Sequence, residues 1–417
     1  MRISILTTGT RGDTQPFIAL GKELKSLGHE VKLAGFENYQ QLVERHELNF
    51  HPIKGDISEI SKEMAKSSIK SDNPIQFFTS FRKMKPYIKD KQMGMQEDLY
   101  EACVDAEAII YHPGAAIGQF VGELKGIPTI LASPFPMGPT EEYPALIFYQ
   151  MQFGKKFNLF THKLFEKGFW MTVKPSVRQY WKRQFDTLPE SFQNPFSKEQ
   201  TKDHLALASV SRHVFQEPKK NIRWFGYWFL DEDLSSWNPP EDLQNFLSEG
   251  PPPVYVGFGS IYDDQALETT ELVIDALRKA GQRGILATGW NSTEDIEETE
   301  NMYFIESVPH SWLFPKLSGV VHHGGAGTTA AAFRAGIPSF VIPHGNDQYA
   351  WGKRTEELGV GPSPVPRKKL TVENLAEGIR EMQGEGIKSN AYTLGKNIQL
   401  ENGAGDAARY IDSFLQR

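Results

Sequence analysis

At 417 residues, with 39% hydrophobic and 23% charged side chains, the chain is long enough to bury two or three cores and too apolar to stay disordered. A formal net charge of -7 argues against nucleic acid as its main partner, because neutralising phosphates needs a basic surface. The only cysteine, Cys103, excludes an internal disulfide and suits a reducing compartment, and no run approaches the ~18 apolar residues of a spanning helix.

Arg2 to Leu6 reads as a strand rather than the start of a signal peptide, since Gly9 and Asp13 interrupt the apolar run too early. Phe17, Leu20, Leu24 and Leu27 then recur at helical spacing, Gly28 closes that helix, and Val31 to Ala34 is the next strand. The chain therefore opens with a βαβ unit of a parallel, doubly wound sheet. Further on, IIYHPGA (Ile109 to Ala115) leads through a helix to GIPTI (Gly126 to Ile130), and VVHHGGA (Val320 to Ala326) leads likewise to GIPSF (Gly336 to Phe340). A strand, loop, helix and stop that recur together predict two Rossmann-like halves in tandem. The expected boundaries are 1–220 for the first half, 221–245 for a Pro- and Trp-rich linker, and 246–399 for the second, which opens near PPPVYVGFGS (Pro251 to Ser260). The last helix, about Ala404 to Gln416, is amphipathic and suits either half.

Ligands of open α/β sheets bind beyond the carboxyl ends of the strands, so the residues just after each strand are the candidates, and with two halves the expected site is the cleft between them. VHHGGAGTT (Val321 to Thr329) offers small residues that let backbone N–H groups approach an anion at a helix N-terminus, with His323 and Thr328 as side-chain donors. Glycines alone would equally serve tight strand-helix packing. HGNDQYAWG (His344 to Gly352) places Asp347 and Gln348 on the same rim, an acceptor-rich pair suited to vicinal hydroxyls, although such a pair is commonly a solvated turn. GTRGDTQP (Gly9 to Pro16) puts Asp13 at the start of the first helix, where a carboxylate can take a proton from an attacking hydroxyl or simply act as a first-turn acid. In the common strand order, strands one and four are neighbours, which predicts that His112 ends beside Asp13.

Together these clusters resemble family 1 glycosyltransferases, closest to sterol glucosyltransferases and bacterial antibiotic and macrolide glycosyltransferases. GTRGDTQP, VPHSWLFP (Val308 to Pro315), HHGGAGTT and DQYAWG carry the likeness, which covers nearly the whole chain. It implies an α/β GT-B fold, two Rossmann-like domains facing across a cleft, the first binding the acceptor and the second the nucleotide sugar. It implies an inverting transfer of a hexose, glucose from UDP-glucose by preference and a TDP-sugar as the other donor, onto a hydroxyl of a lipophilic acceptor such as a sterol, terpenoid or polyketide. No cofactor or metal is expected, and the D-x-D of Asp231 to Asp233 lies in the presumed linker. By the same likeness Asp13 is the general base, with His112 as a further catalytic candidate. The donor falls to Thr10, Arg11, Gly12, Ser260, Trp290, Val308, His323, Gly325, Gly327, Thr328, Thr329, Asp347 and Gln348. The chain departs from the plant natural-product branch in having Ser307 where a base-stacking Trp stands and Ala331 where a ribose-binding Glu stands, leaving Trp290 and Trp312 as candidates for packing against the base or the sugar.

Phe153 to Arg183 interleaves aromatic residues with Lys and Arg, opposed only by Glu166. This reads either as a lid of amphipathic helices with solvated basic faces or as a peripheral contact with an anionic membrane surface, and both favour a large apolar acceptor. The expected location is cytoplasmic or the inner membrane face. Since the chain starts directly at the catalytic core, a bacterial build is expected. Two other readings remain at this stage, a catalytically silent nucleotide-sugar-binding protein and a sugar-nucleotide epimerase on the same fold. A nicotinamide dehydrogenase is disfavoured because the first loop lacks the G-x-G-x-x-G spacing.

Overall fold

The computed structural model describes residues 1–55, 93–219, 221–231, 237–258, 266–287, 301–345 and 347–417. The described residues form two compact units, one holding those up to Leu230 outside the undescribed stretches together with Glu401–Arg417, the other holding those from Asp231 to Leu400.

The first unit is built on a seven-stranded sheet in the order β3-β2-β1-β4-β5-β6-β7. Its strands are β1 (Arg2–Leu6), β2 (Glu30–Phe36), β3 (Asn49–Ile53), β4 (Ala108–Tyr111), β5 (Thr129–Ser133), β6 (His204–Ala208) and β7 (Arg223–Trp224), and every pairing is parallel. Strands such as β4 and β5 are buried over their whole length, which is why they read as continuous β-branched runs rather than alternating ones. Helices α1 (Arg11–Ser26), α2 (Ile117–Lys125) and α3 (Lys155–Phe185) belong to this unit. The basic and aromatic segment forms one continuous helix of 31 residues, not several short ones. The first unit also keeps the chain beyond residue 220, because Trp224, Trp228 and Leu230 bury their side chains in it.

The second sheet runs β10-β9-β8-β11-β12, again all parallel, from β8 (Val254–Gly257), β9 (Gly284–Ala287), β10 (Met302–Ile305), β11 (Gly319–His322) and β12 (Ser339–Val341). Each sheet therefore reverses its strand order once, between β1 and β4 in the first and between β8 and β11 in the second. Helix α4 (Ala326–Ala335) follows β11, and α5 (Gln348–Glu357) follows β12. The helix between residues 241 and 248 already belongs to this unit, its Leu243 fully buried with Phe314 and Val320. The last helix, α6 (Gly403–Leu415), returns to the first unit, where Ala407, Ala408, Ile411 and Phe414 join Phe17, Leu20 and Leu24 in one core.

Candidate active site

Asp13 is the third residue of α1, and its position is fixed by the cap of that helix. The carboxylate Oδ2 accepts from the Thr10 backbone N–H at 2.7 Å and from the Thr10 hydroxyl at 2.9 Å, a capping arrangement that also places a negative charge at the helix N-terminus. Gly9 has φ +118°, and a Cβ there would collide with this carboxylate. Both of the roles considered for Asp13 are thus compatible, since Oδ2 caps the helix and leaves Oδ1 for chemistry. Thr10, Arg11 and Gly12 form the exposed turn around it.

His112 directly follows β4 beside β1, its backbone N–H donating to the Leu6 carbonyl. The Gly114 N–H donates to its Nδ1 at 3.0 Å, which makes that nitrogen an acceptor and assigns the proton of the neutral ring to Nε2. The Thr8 hydroxyl also contacts Nδ1, at 3.2 Å. Nε2 is buried without a hydrogen-bond partner and lies 3.8 Å from Asp13 Oδ1. Burial lowers the pKa of His112 from its ordinary value, against an opposing pull from the Asp13 charge, so the ring is neutral near pH 7. Phe17 and Phe135 meet it edge-on at 5.9 and 6.3 Å.

In the second unit, Gly325 caps α4 and Gly324 has φ +89°, so the chain turns out of β11 directly onto a helix N-terminus. The first N–H groups of α4 have no carbonyl behind them, and the exposed Gly327 and half-buried Thr328 sit among them. His323 faces Gly325 so closely that a Cβ there would lie 2.5 Å from Nε2. Its Nδ1 is buried with no protein partner, and burial, reinforced by His344 and His310, brings its pKa down to about 3. Thr329 differs from the expectation for it. Fully buried, it donates its hydroxyl to the Gly325 carbonyl at 2.9 Å and serves its own helix.

Asp347 and Gln348 open α5 on the same side of the sheet. Gln348 Oε1 accepts from the N–H groups of His344 at 2.8 Å and Gly345 at 3.3 Å, so its carbonyl orders the loop and its NH2 remains to donate. A Cβ on Gly324 would come within 3.0 Å of the Gln348 carbonyl oxygen, so the two motifs pack directly on one another. Val308 is half-buried beside the core of Leu243 and Phe314, and Trp312 packs edge-on against Trp237 at 5.0 Å with the Lys316 ammonium 4.3 Å above its ring. Trp237 and Lys316 thus already pack against the Trp312 ring. Ser260 and Trp290 lie outside the described residues. Asp231 pairs with Arg334 at 2.6 Å.

Reading along the chain missed two features of the first unit. Phe135 follows β5 as Asp13 follows β1, so its place after a strand was the available signal. From it, ring contacts run through Phe165 and Phe169 of α3 to Phe196, at 6.5, 5.8 and 5.4 Å. Phe196 also lines a cavity of about 490 Å³ with Leu131, Met137, Ile222 and the buried Glu166. Burial raises the pKa of Glu166 to about 7, although the Ser197 hydroxyl donates to it at 3.1 Å.

Two family models match the chain, the glycosyltransferase family 28 N-terminal domain over residues 3–144 and the erythromycin biosynthesis protein CIII-like C-terminal domain over residues 271–400. A sterol 3-beta-glucosyltransferase of Arabidopsis thaliana is 32% identical over 99% of the chain and 68% of its own length. The chain belongs to the sterol glucosyltransferase family. A second relative, the sterol 3-beta-glucosyltransferase of Komagataella phaffii, is 35% identical over 98% of the chain, which spans 34% of that longer protein. Among solved structures, the kitacinnamycin glycotransferase superposes with a TM-score of 0.70 at 19% identity over 99% of both chains. The glycosyltransferase VinC, in complex with dTDP, does so with 0.65 at 18% identity over 100% of both. These neighbours give the glycosyltransferase its fold, GT-B, with two Rossmann-like domains.

Proposed function

We propose that this glycosyltransferase moves glucose from UDP-glucose, with inversion at the anomeric carbon, onto a hydroxyl of a sterol or similarly large, apolar acceptor. The observation that carries this reading is the match, at 32 to 35% identity over 98 to 100% of the chain, to proteins that are sterol 3-beta-glucosyltransferases. The acceptor hydroxyl gives its proton to Oδ1 of Asp13 while its oxygen attacks the anomeric carbon, and the bond from that carbon to the diphosphate oxygen breaks. Negative charge then grows on the leaving diphosphate. The N-terminal N–H groups of α4, Thr328 and the neutral His323 oppose that charge, and Asp347 with the Gln348 NH2 holds the sugar hydroxyls.

His112 acts here as a positioning residue, its Nε2–H facing the oxygen of Asp13 that takes the proton. The rings of Phe135 and Phe165, which lead away from that pair, supply apolar surface for the acceptor. The test is incubation with UDP-glucose and a panel of sterols, flavonoids and macrolides, reading UDP release and product mass for the wild type and Asp13→Asn. Sterol glucoside from the wild type alone supports the reading. Donor binding without any glycoside would favour a silent binding protein and overturn it.

A further inference from the structure

Helix α3 carries eight Lys and Arg residues and one acid, Glu166, in a chain whose net charge is -7. That acid is buried, 4% exposed, so the charges the helix presents on its outer face are all basic. Along that face Lys156, Phe160, Lys163, Lys167, Met171, Lys174, Arg178 and Lys182 follow one another at steps of three and four, which aligns them in a single stripe, with Leu164 one turn beyond Phe160 beside it.

The apolar members of the stripe are exposed where a soluble face would be polar. Phe160 is 58% and Met171 61% exposed, and Phe153, just before the helix, is 70% exposed. Phe153 and Phe160 are the only exposed phenylalanines among the described residues. Lys156, Lys163, Lys167, Arg178 and Lys182 make no ion pair among the described residues. At the far end, Lys174, Arg178 and Lys182 converge on a groove of about 310 Å³, with the Lys174 ammonium steered over the ring of Phe192 at 5.4 Å.

We propose that this face of α3 docks on an anionic lipid bilayer, with Phe153, Phe160 and Met171 entering the headgroup region and the Lys174, Arg178 and Lys182 groove holding a lipid phosphate. Charge complementarity selects the partner, because unpaired cations alternating with protruding apolar side chains match a surface that is anionic outside and apolar just beneath. A protein partner would cover the apolar residues equally well but would not favour so uniform a charge. A 31-residue helix extends about 46 Å, long enough to lie along the membrane plane, and no helix of the described residues is long and apolar enough to cross it. The inference deepens the reading of a lipophilic acceptor, since a bilayer is where such an acceptor partitions.

The test is co-sedimentation of the full chain with phosphatidylcholine vesicles, with and without phosphatidylglycerol as about a quarter of the lipid. Salt-sensitive binding only to the anionic vesicles is expected. The triple variant Lys174→Gln, Arg178→Gln, Lys182→Gln is expected to lose on the order of a hundredfold in affinity, at about 1 kcal/mol per cation. Phe160→Ser with Met171→Ser is expected to weaken binding about tenfold or more through lost apolar insertion. Lys368→Gln with Lys369→Gln, in the other unit, is expected to bind as the wild type does. Transfer to a detergent-dispersed acceptor is measured on every variant, so that loss of fold is separated from loss of docking. Equal binding to both vesicle types, or a triple variant that binds like the wild type, would overturn the proposal whatever the activity. Vesicle binding without any glucoside formation would instead overturn the assigned reaction and leave the docking surface standing.

Discussion

His112 and His322 hold the same place in the two sheets, each accepting on Nδ1 from the N–H of the glycine two residues on, at 3.0 and 3.1 Å. Their other nitrogens differ. Ser339 holds Nε2 of His322 at 2.6 Å, whereas Nε2 of His112 has no hydrogen-bond partner and stands 3.8 Å from Asp13 Oδ1. One histidine closes a strand, and the other retains a donor aimed at the proposed base.

Asp13→Asn is expected to lower kcat by a factor on the order of 10² to 10⁴, the usual contribution of a general base. The amide oxygen can still accept from the Thr10 N–H, so the melting temperature should change little. Steady-state kinetics beside thermal unfolding checks both halves. A rate within a few-fold of wild type would remove Asp13 from the mechanism.

His112→Phe keeps the ring packing against Phe17 and Phe135 and removes the Nε2–H. We expect kcat to fall about tenfold with an unchanged KM for UDP-glucose, together with about 1 kcal/mol of stability lost because Gly114 N–H loses its acceptor. A rise in the donor KM at constant kcat would assign His112 to binding instead.

Thr328 and Thr329 should separate cleanly. Thr328→Val is expected to raise the donor KM up to about tenfold, the worth of one hydrogen bond, at constant stability. Thr329→Val, which loses only the bond to Gly325, should leave KM unchanged and cost up to about 1 kcal/mol in denaturant unfolding. Equal effects on KM would return Thr329 to the donor site.

Stability should depend on pH in two opposed ways. Burial depresses His162 and His204 to about 4 and His323 to about 3, so their contribution is complete above the ordinary imidazole value and is lost as pH falls toward those values. Glu166 is raised to about 7, so its contribution is present below its unfolded value and is lost as pH rises through 7. Glu166→Gln should therefore be more stable than the wild type at pH 8, by on the order of 2 kcal/mol, and the two should converge below pH 5. Identical pH profiles would show that Glu166 is not held in its neutral form.

The sequence by itself determined the two halves and the turns that carry the candidate residues, because those features are local. A β-branched run that ends in His and Gly, and a helix that ends on a left-handed glycine such as Gly126 or Gly336, are written in adjacent residues. The same holds for Asp13, whose neighbours Gly9 and Thr10 position it within one turn. Tertiary structure decided what depends on contacts distant in the chain. It gave α6 to the first unit, since an amphipathic helix fits any apolar surface and only packing against Phe17 and Leu24 selects one. It kept Trp224 and Trp228 with the first unit, where the Pro and Trp composition had suggested a linker, because burial outweighs composition. It turned Thr329 inward through helical phase, and it set Phe135 beside His112 because β5 lies next to β4. It also joined residues 155–185 into one helix, whose outer face only then became a single basic and aromatic stripe.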